Sequence, residues 1–220
     1  MMKKAYENPE YIKLLFKKLN NSRVNYILIK NIGKELPNNL EVSKDIDILV
    51  WEEDKEKFHS VMNEIAVKIN HPYSKLNGWS NLYGMPDFEF WRMNKGSDLI
   101  IDVSYRLCCK SLMPNYWIPL DNYIQEYLWN NKIFDRENDW YILDDNTEIV
   151  YLIVRSIFDK KVFIDSYKKE IMYLKNVVDI CIVEKMLNLI FGKFTKCLLE
   201  KIFNDDYDTI YRTYIVFRDY

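Results

Sequence analysis

Short apolar runs dominate the first two thirds of this chain, and helical periodicity dominates the rest. Val24-Asn25-Tyr26-Ile27-Leu28-Ile29, Ile46-Asp47-Ile48-Leu49-Val50 and Asp98-Leu99-Ile100-Ile101-Asp102-Val103-Ser104-Tyr105 are apolar stretches bounded by polar or turn-forming residues. That length and β-branched content predict buried strands. The aromatic run Asp87 to Met93 predicts a further strand, and Lys95-Gly96 turns it into the Asp98 run as an antiparallel hairpin. Trp140 to Leu143 reads as a brief strand. Between these lie two helical patterns. Asn8-Pro9 opens the first, with Ile12, Leu15, Phe16 and Leu19 on one stripe and Asn20-Asn21-Ser22 closing it. Residues 52–68 form the second, with acids in the first turn and Phe58, Val61, Met62, Ile65 and Ile69 on the buried face. Residues 31–44, broken by Pro37-Asn38-Asn39, and residues 71–84, with Asn77-Gly78, read as loops. Residues 121–129 read as a short helix.

At Asp144-Asp145-Asn146-Thr147-Glu148 the pattern changes to helix after helix: 148–159, 165–174, 177–191 ending at Gly192, 194–203 and 207–217. The fold class expected is therefore α/β (α+β), with a first domain of residues 1–143 and a helical domain of residues 144–220.

Composition narrows the class further. Hydrophobic residues make up 49% and charged residues 29% of 220, enough apolar surface to bury a core and too much for a disordered chain. The formal net charge of −2 gives no bulk attraction for a long nucleic acid. Four cysteines, with Cys108 and Cys109 adjacent and no Cys-x-x-Cys pair, suggest neither a disulfide framework nor zinc. They read as reduced, buried thiols, and the expected location is cytoplasmic. No apolar segment has signal length, and none approaches the roughly 18 residues of a membrane span. The five glycines are scattered, which excludes a P-loop or a Gly-x-Gly-x-x-Gly turn.

The candidate chemistry lies at Asp45 and Asp47. Strand alternation puts both carboxylates on one face, opposite Ile46, Ile48 and Val50. Like charges that close are unfavourable without a cation between them. An isolated pair of this kind is commonly just hydrated, but two neighbours change the picture. Asp102 sits within an apolar run, where a carboxylate needs a partner, and Lys30 ends the first strand at a basic turn. Magnesium or manganese suits three carboxylates, because hard cations take oxygen ligands and bind through carboxylates plus substrate phosphates. Asp87 and Glu89 form a rival acidic pair; their alternation reads as the solvent face of a strand. His59 and His71 have no second ligand at metal spacing and read as surface or packing residues. Arg155 to Lys161, with Lys168 and Lys169, is a basic patch that could hold a phosphate or could be a solvated helix face.

At these residues the chain resembles the nucleotidyltransferase superfamily with the polymerase-β-like fold, in particular an uncharacterised bacterial branch. There a strand ending in Lys-Gly precedes an Asp-x-Asp strand and then a strand bearing Asp-x-His-Trp-Arg. The corresponding residues are Tyr26 to Lys30, Ser43 to Val50, and Ile101-Asp102-Val103-Ser104-Tyr105-Arg106-Leu107. Asn31 replaces the glycine, and Ser104-Tyr105 replace His-Trp. The likeness spans about the first half of the chain. It implies a mixed sheet flanked by helices and a Mg2+- or Mn2+-dependent transfer of a nucleoside monophosphate from an NTP to a hydroxyl or phosphate acceptor. Asp45, Asp47 and Asp102 would hold the metal. Lys30, Asn31, Gly33 and Lys44 would bind the nucleotide. A looser likeness of the C-terminal helices suggests surface-polysaccharide synthesis. A toxin-like enzyme acting on tRNA or protein and a non-catalytic nucleotide-binding module are the alternatives.

Overall fold

A computed structural model describes residues 9–31, 35–40, 44–69, 88–93, 99–110 and 117–213. The chain divides into two compact units: Met1–Leu107 with Lys132–Leu143, and Cys108–Asn131 with Asp144–Tyr220. Residues 108–131 thus group with the helical unit, although in sequence they precede the last strands of the first.

Among the described residues, the first unit holds a mixed seven-stranded sheet. Its strands are β1 (Tyr26–Leu28), β2 (Ile46–Val50), β3 (Ala66–Ile69), β4 (Glu89–Met93), β5 (Ile100–Ser104), β8 (Ile133–Asp135) and β9 (Trp140–Ile142). They lie in the order β3-β4-β5-β2-β1-β9-β8. Pairing is antiparallel except for β2 with β5 and β1 with β9, which run parallel.

The helices α1 (Pro9–Asn21) and α2 (Lys55–Ile65) contribute to a core on one side of this sheet. Ile12, Leu15, Phe16 and Leu19 of α1 are all at most 1% exposed, as their spacing requires. Phe16 packs on Tyr26 and Trp140 at ring distances of 5.5 and 4.8 Å. Each such side chain contributes about 1.5–3 kcal/mol when fully buried. Ile46, Ile48 and Val50 belong to the same core, together with Ile101 and Val103. Alternation along β2 and β5 therefore turns Asp47 and Asp102 to the opposite face.

The helix expected over 52–68 is shorter. A 3-10 turn, Glu52–Asp54, precedes α2, and Ala66 leaves it in an extended conformation with φ −145°. Residues 66–69 instead form β3, paired with β4 from Ala66↔Met93 to Ile69↔Phe90. The β-branched Val67 and Ile69 suit a strand, and ladder hydrogen bonds outweigh a weak amphipathic pattern. Strand β8, also not foreseen, is completed only by its antiparallel partner β9. The tight turn at Asn77-Gly78, the Lys95-Gly96 turn, the Asn8 cap and His71 lie outside the described residues.

The second unit holds a two-stranded ladder, β6 (Cys108–Lys110) with β7 (Trp117–Pro119), and the helices α3 (Asn122–Asn131), α4 (Asp145–Val154), α5 (Asp165–Leu174), α6 (Ile180–Phe191), α7 (Thr195–Phe203) and α8 (Tyr207–Thr213). Asp144 caps α4: its carboxylate accepts from the Asn146 N–H at 3.1 Å and from the Thr147 hydroxyl at 2.5 Å. Residues 149–154 of α4 are buried on every side. The helix then widens into a π-type turn, Arg155–Asp159, and the Asp159 carboxylate accepts from the Lys110 N–H at 2.7 Å. Helix α6 ends at Gly192, whose φ of +55° favours a residue without Cβ. Among the described residues no helix is long and apolar enough to cross a membrane.

The cysteines divide. Cys108 and Cys109 are buried thiols, and burial, with the charge of Asp159, pushes the Cys109 thiol up to about 12. Cys181 and Cys197 are exposed, against the expectation that all are interior.

Candidate active site

The parallel pairing of β2 with β5 creates the site. Its register sets Ile46 opposite Ile101, Asp47 opposite Asp102, and Ile48 opposite Val103. Neighbouring strands lie about 4.8 Å apart, so in-register residues on one face become side-chain neighbours. Asp45 precedes β2 by one residue and shares the parity of Asp47. One carboxylate oxygen from each of Asp45, Asp47 and Asp102 falls within 4.8 Å of the other two. Asp47 is buried; Asp45 and Asp102 are half-buried.

Lys30 completes the group. The β1–β2 ladder continues past its last paired residue, with the Ile29 N–H donating to the Asp47 carbonyl at 3.1 Å. The next residue is Lys30, and its Nζ donates to Asp47 Oδ1. The far end of the same hairpin is tied down. The Trp51 N–H donates to the Asn25 carbonyl at 2.9 Å, and Asp54 accepts from the Asn25 backbone and amide, each at 2.8 Å. These bonds hold Asp54 below the usual carboxylate range: burial alone would raise it, but the bonds from Lys57 and Asn25 outweigh burial.

The loop after Lys30 is organised internally. Asn31 uses its side-chain oxygen to accept from the Leu36 N–H at 3.0 Å. Lys44 donates to both oxygens of Glu35 at 2.6 Å. Gly33 lies outside the described residues. The structure thus brings Asp45, Asp47, Asp102 and Lys30 together, while the Lys44 ammonium is held on Glu35. Nothing in the sequence pattern marks Glu35, because a partner nine residues away across a loop has no periodic signature.

Glu89 is not on the solvent face of its strand; it is 5% exposed. Its register partner is Val103, which points into the α1–α2 core, so Glu89 lies on the face opposite Asp102. There it meets His59 Nε2 at 2.7 Å, Lys68 Nζ at 2.9 Å and Trp91 Nε1 at 3.2 Å. The sequence missed this because Lys68 belongs to β3, the strand read as helix. Tyr105 joins the group, its hydroxyl 3.3 Å from His59 Nε2. His59 is therefore the partner of a buried acid. Asp87, the other half of the rival pair, lies outside the described residues.

This second cluster has a pH signature. Burial pushes the Glu89 carboxyl up, but bonds from Lys68 and His59 outweigh it and hold it below the ordinary 4.5. A depressed carboxyl contributes stability above its unfolded value and loses it as pH falls through the folded one. Glu89→Gln is expected to cost about 1–3 kcal/mol near neutrality, the usual penalty for a weakened buried charged hydrogen bond. The gap to wild type should close as pH drops below the ordinary carboxylate range. Circular-dichroism melts across acid pH test this; a gap independent of pH contradicts it.

The basic patch belongs to the second unit and is partly self-satisfied. Arg155 donates to the Tyr151 hydroxyl at 2.9 Å and lies 3.8 Å from Asp159. Lys168 sits 4.5 Å from the Tyr207 ring centre.

The acid cluster suits a hard divalent ion. All three donors are carboxylate oxygens, and among the described residues neither histidine nor cysteine joins them. Three carboxylates and one ammonium carry a formal charge of −3 + 1 = −2, the complement of a divalent cation. Metal–oxygen bonds of about 2.0–2.1 Å place two ligands of one ion at most roughly 4 Å apart. The observed 4.8 Å is within small side-chain rotations of that span.

Fold and site define a mixed α/β protein with a carboxylate triad on one face of its sheet. Neither a family model nor a curated protein matches the sequence. Among solved structures, the solution structure of the antibiotic-resistance factor ANT(2'')-Ia is similar. The alignment covers 86% of this chain and 94% of that one, with 8% identity and a TM-score of 0.48.

Proposed function

We propose that the first unit is the catalytic part of a metal-dependent nucleotidyltransferase, moving a nucleoside monophosphate from an NTP to a hydroxyl or phosphate acceptor. The observation that carries this is the convergence of Asp45, Asp47 and Asp102 within 4.8 Å on two parallel strands. The sequence resemblance at those same residues supports it. Asp45 and Asp47 would hold Mg2+ or Mn2+, with Asp102 completing the ligand set. When bound, the metal would stabilise charge on the entering and leaving oxygens of an in-line displacement. Lys30 would supply positive charge to the triphosphate, and the backbone from Asn31 to Gly33 would supply N–H donors. Asp102 would accept the proton of the acceptor hydroxyl. Lys44, held by Glu35, would help shape the phosphate-binding loop.

The acceptor class we favour is a glycan or sugar phosphate in surface-polysaccharide synthesis, in the cytoplasm, with tRNA or protein as the toxin-like alternative. A non-catalytic nucleotide-binding module is the second reading, and the Lys30–Asp47 pair favours it, because an internal cation already balances part of the triad.

Binding and turnover separate the two. Mn2+ with an NTP, at about 100 times its dissociation constant, is expected to stabilise the protein by about 2.7 kcal/mol. For a chain of this size that raises the melting temperature by roughly 5–10 °C. A pyrophosphate-release assay with each of the four NTPs, run against sugar, sugar-phosphate, tRNA and protein acceptors, then decides: acceptor-dependent release identifies the enzyme, and stabilisation without release with any of them identifies the module. No stabilisation by any NTP with Mg2+ or Mn2+ overturns both.

A further inference from the structure

We infer that Lys30 is a resident counter-cation of the acid triad, displaced from Asp47 when a divalent ion binds and received by the anionic triphosphate. This rests on the metal-centre reading above and adds an order and a coupling to it.

The pairing of Lys30 with Asp47 is enclosed. The two side chains are only 22% and 10% exposed, so solvent screens their attraction weakly. The same carboxylate is a member of the only described acid group able to hold a metal. Lys30 and a divalent ion would therefore share Asp47, and two cations on one carboxylate repel strongly where screening is weak. The repulsion favours separating them, and the lysine can move, because its ammonium is a compact charge on a flexible stem with rotatable donors. Its backbone stays anchored, since the preceding residue is still bonded into the β1–β2 ladder. Only the side chain has to swing. Lys44 cannot take this part as it stands, being held by both oxygens of Glu35.

The consequence is linkage of opposite sign for two ligands. Without an anion, Lys30 opposes the metal. With a triphosphate present, Lys30 has another partner, and metal and anion strengthen each other; the coupling is reciprocal. A salt bridge that merely supports the fold would show no such reversal.

The test uses Mn2+ alone and inorganic tripolyphosphate on the full chain. By calorimetry, Lys30→Met is expected to bind Mn2+ alone about tenfold more tightly than wild type, inside the usual 5–150-fold range of site coupling. Its affinity for tripolyphosphate should fall by at least as much, while Lys30→Arg, which keeps the charge, should leave Mn2+ affinity within about twofold. Lys30→Met binding Mn2+ no more tightly than wild type overturns the proposal. Should that variant fail to fold, residue-resolved amine labelling of the wild type decides. Mn2+ should raise the labelling rate of Lys30, and tripolyphosphate added with Mn2+ should lower it again. Mn2+ binding with an unchanged Lys30 rate defeats the displacement but leaves the metal centre standing. No Mn2+ binding to wild type defeats both.

Discussion

Asp45→Asn with Asp47→Asn is expected to abolish the metal-dependent rise in melting temperature and to lower turnover by about 10^3-fold or more, roughly 4 kcal/mol of barrier. The reason is charge. The wild-type cluster carries a formal −3 + 1 = −2, and the double variant carries −1 + 1 = 0. Asparagine keeps the shape and can still accept the Lys30 bond, so the fold itself should survive. A carboxamide oxygen without charge is a far weaker ligand for Mg2+ or Mn2+ than a carboxylate. The thermal comparison needs four melts: both proteins, with and without Mn2+. A metal shift as large in the double variant as in wild type would remove the triad from the metal site.

Asp102→Asn should behave differently. Its position on β5, opposite Asp47 in register, puts it at the edge of the pair and not within β2. If it receives the acceptor proton, its loss should cost about 10^2–10^4-fold in kcat, the usual range for general base catalysis. Nucleotide affinity should stay within about threefold, since Asp45, Asp47 and Lys30 remain. Titration with a non-hydrolysable NTP and Mn2+ checks binding, and pyrophosphate release checks kcat. Equal losses in both would make Asp102 a nucleotide-site ligand and not the base. Glu89→Gln is the control: it faces the other side of the sheet and should change stability while leaving kcat alone.

The second unit contains a carboxyl of a different kind. Burial, then the charges of Glu170, Asp145 and Asp144, push Glu148 up to about 7. Its folded value lies above the ordinary one, so ionised Glu148 opposes folding, and thermal melts should show stability falling as pH rises from the ordinary 4.5 to about 7.

What the sequence determined by itself is whatever depends on residues close in the chain. Period-2 alternation put Asp45 and Asp47 on one face, and the apolar setting of Asp102 marked a carboxylate in need of a partner. The 3.6-residue stripe of α1, the span of α5 and the Gly192 end are equally local, and the structure has them where the pattern puts them, whereas α4, expected from residue 148, starts at Asp145 behind an Asp144 cap. What only tertiary structure decided are the relations between distant segments. The parallel register of β2 on β5 is one: the same two strands slipped by one residue would turn Asp102 away from Asp47. The burial of Glu89 is another, because it needs His59 from α2 and Lys68 from β3 at once. The holding of Lys44 by Glu35 and of Asp47 by Lys30 are further cases. A charged side chain is expensive to bury and cheap to leave in water, so its final place depends on whether a partner arrives, and that partner comes from elsewhere in the chain.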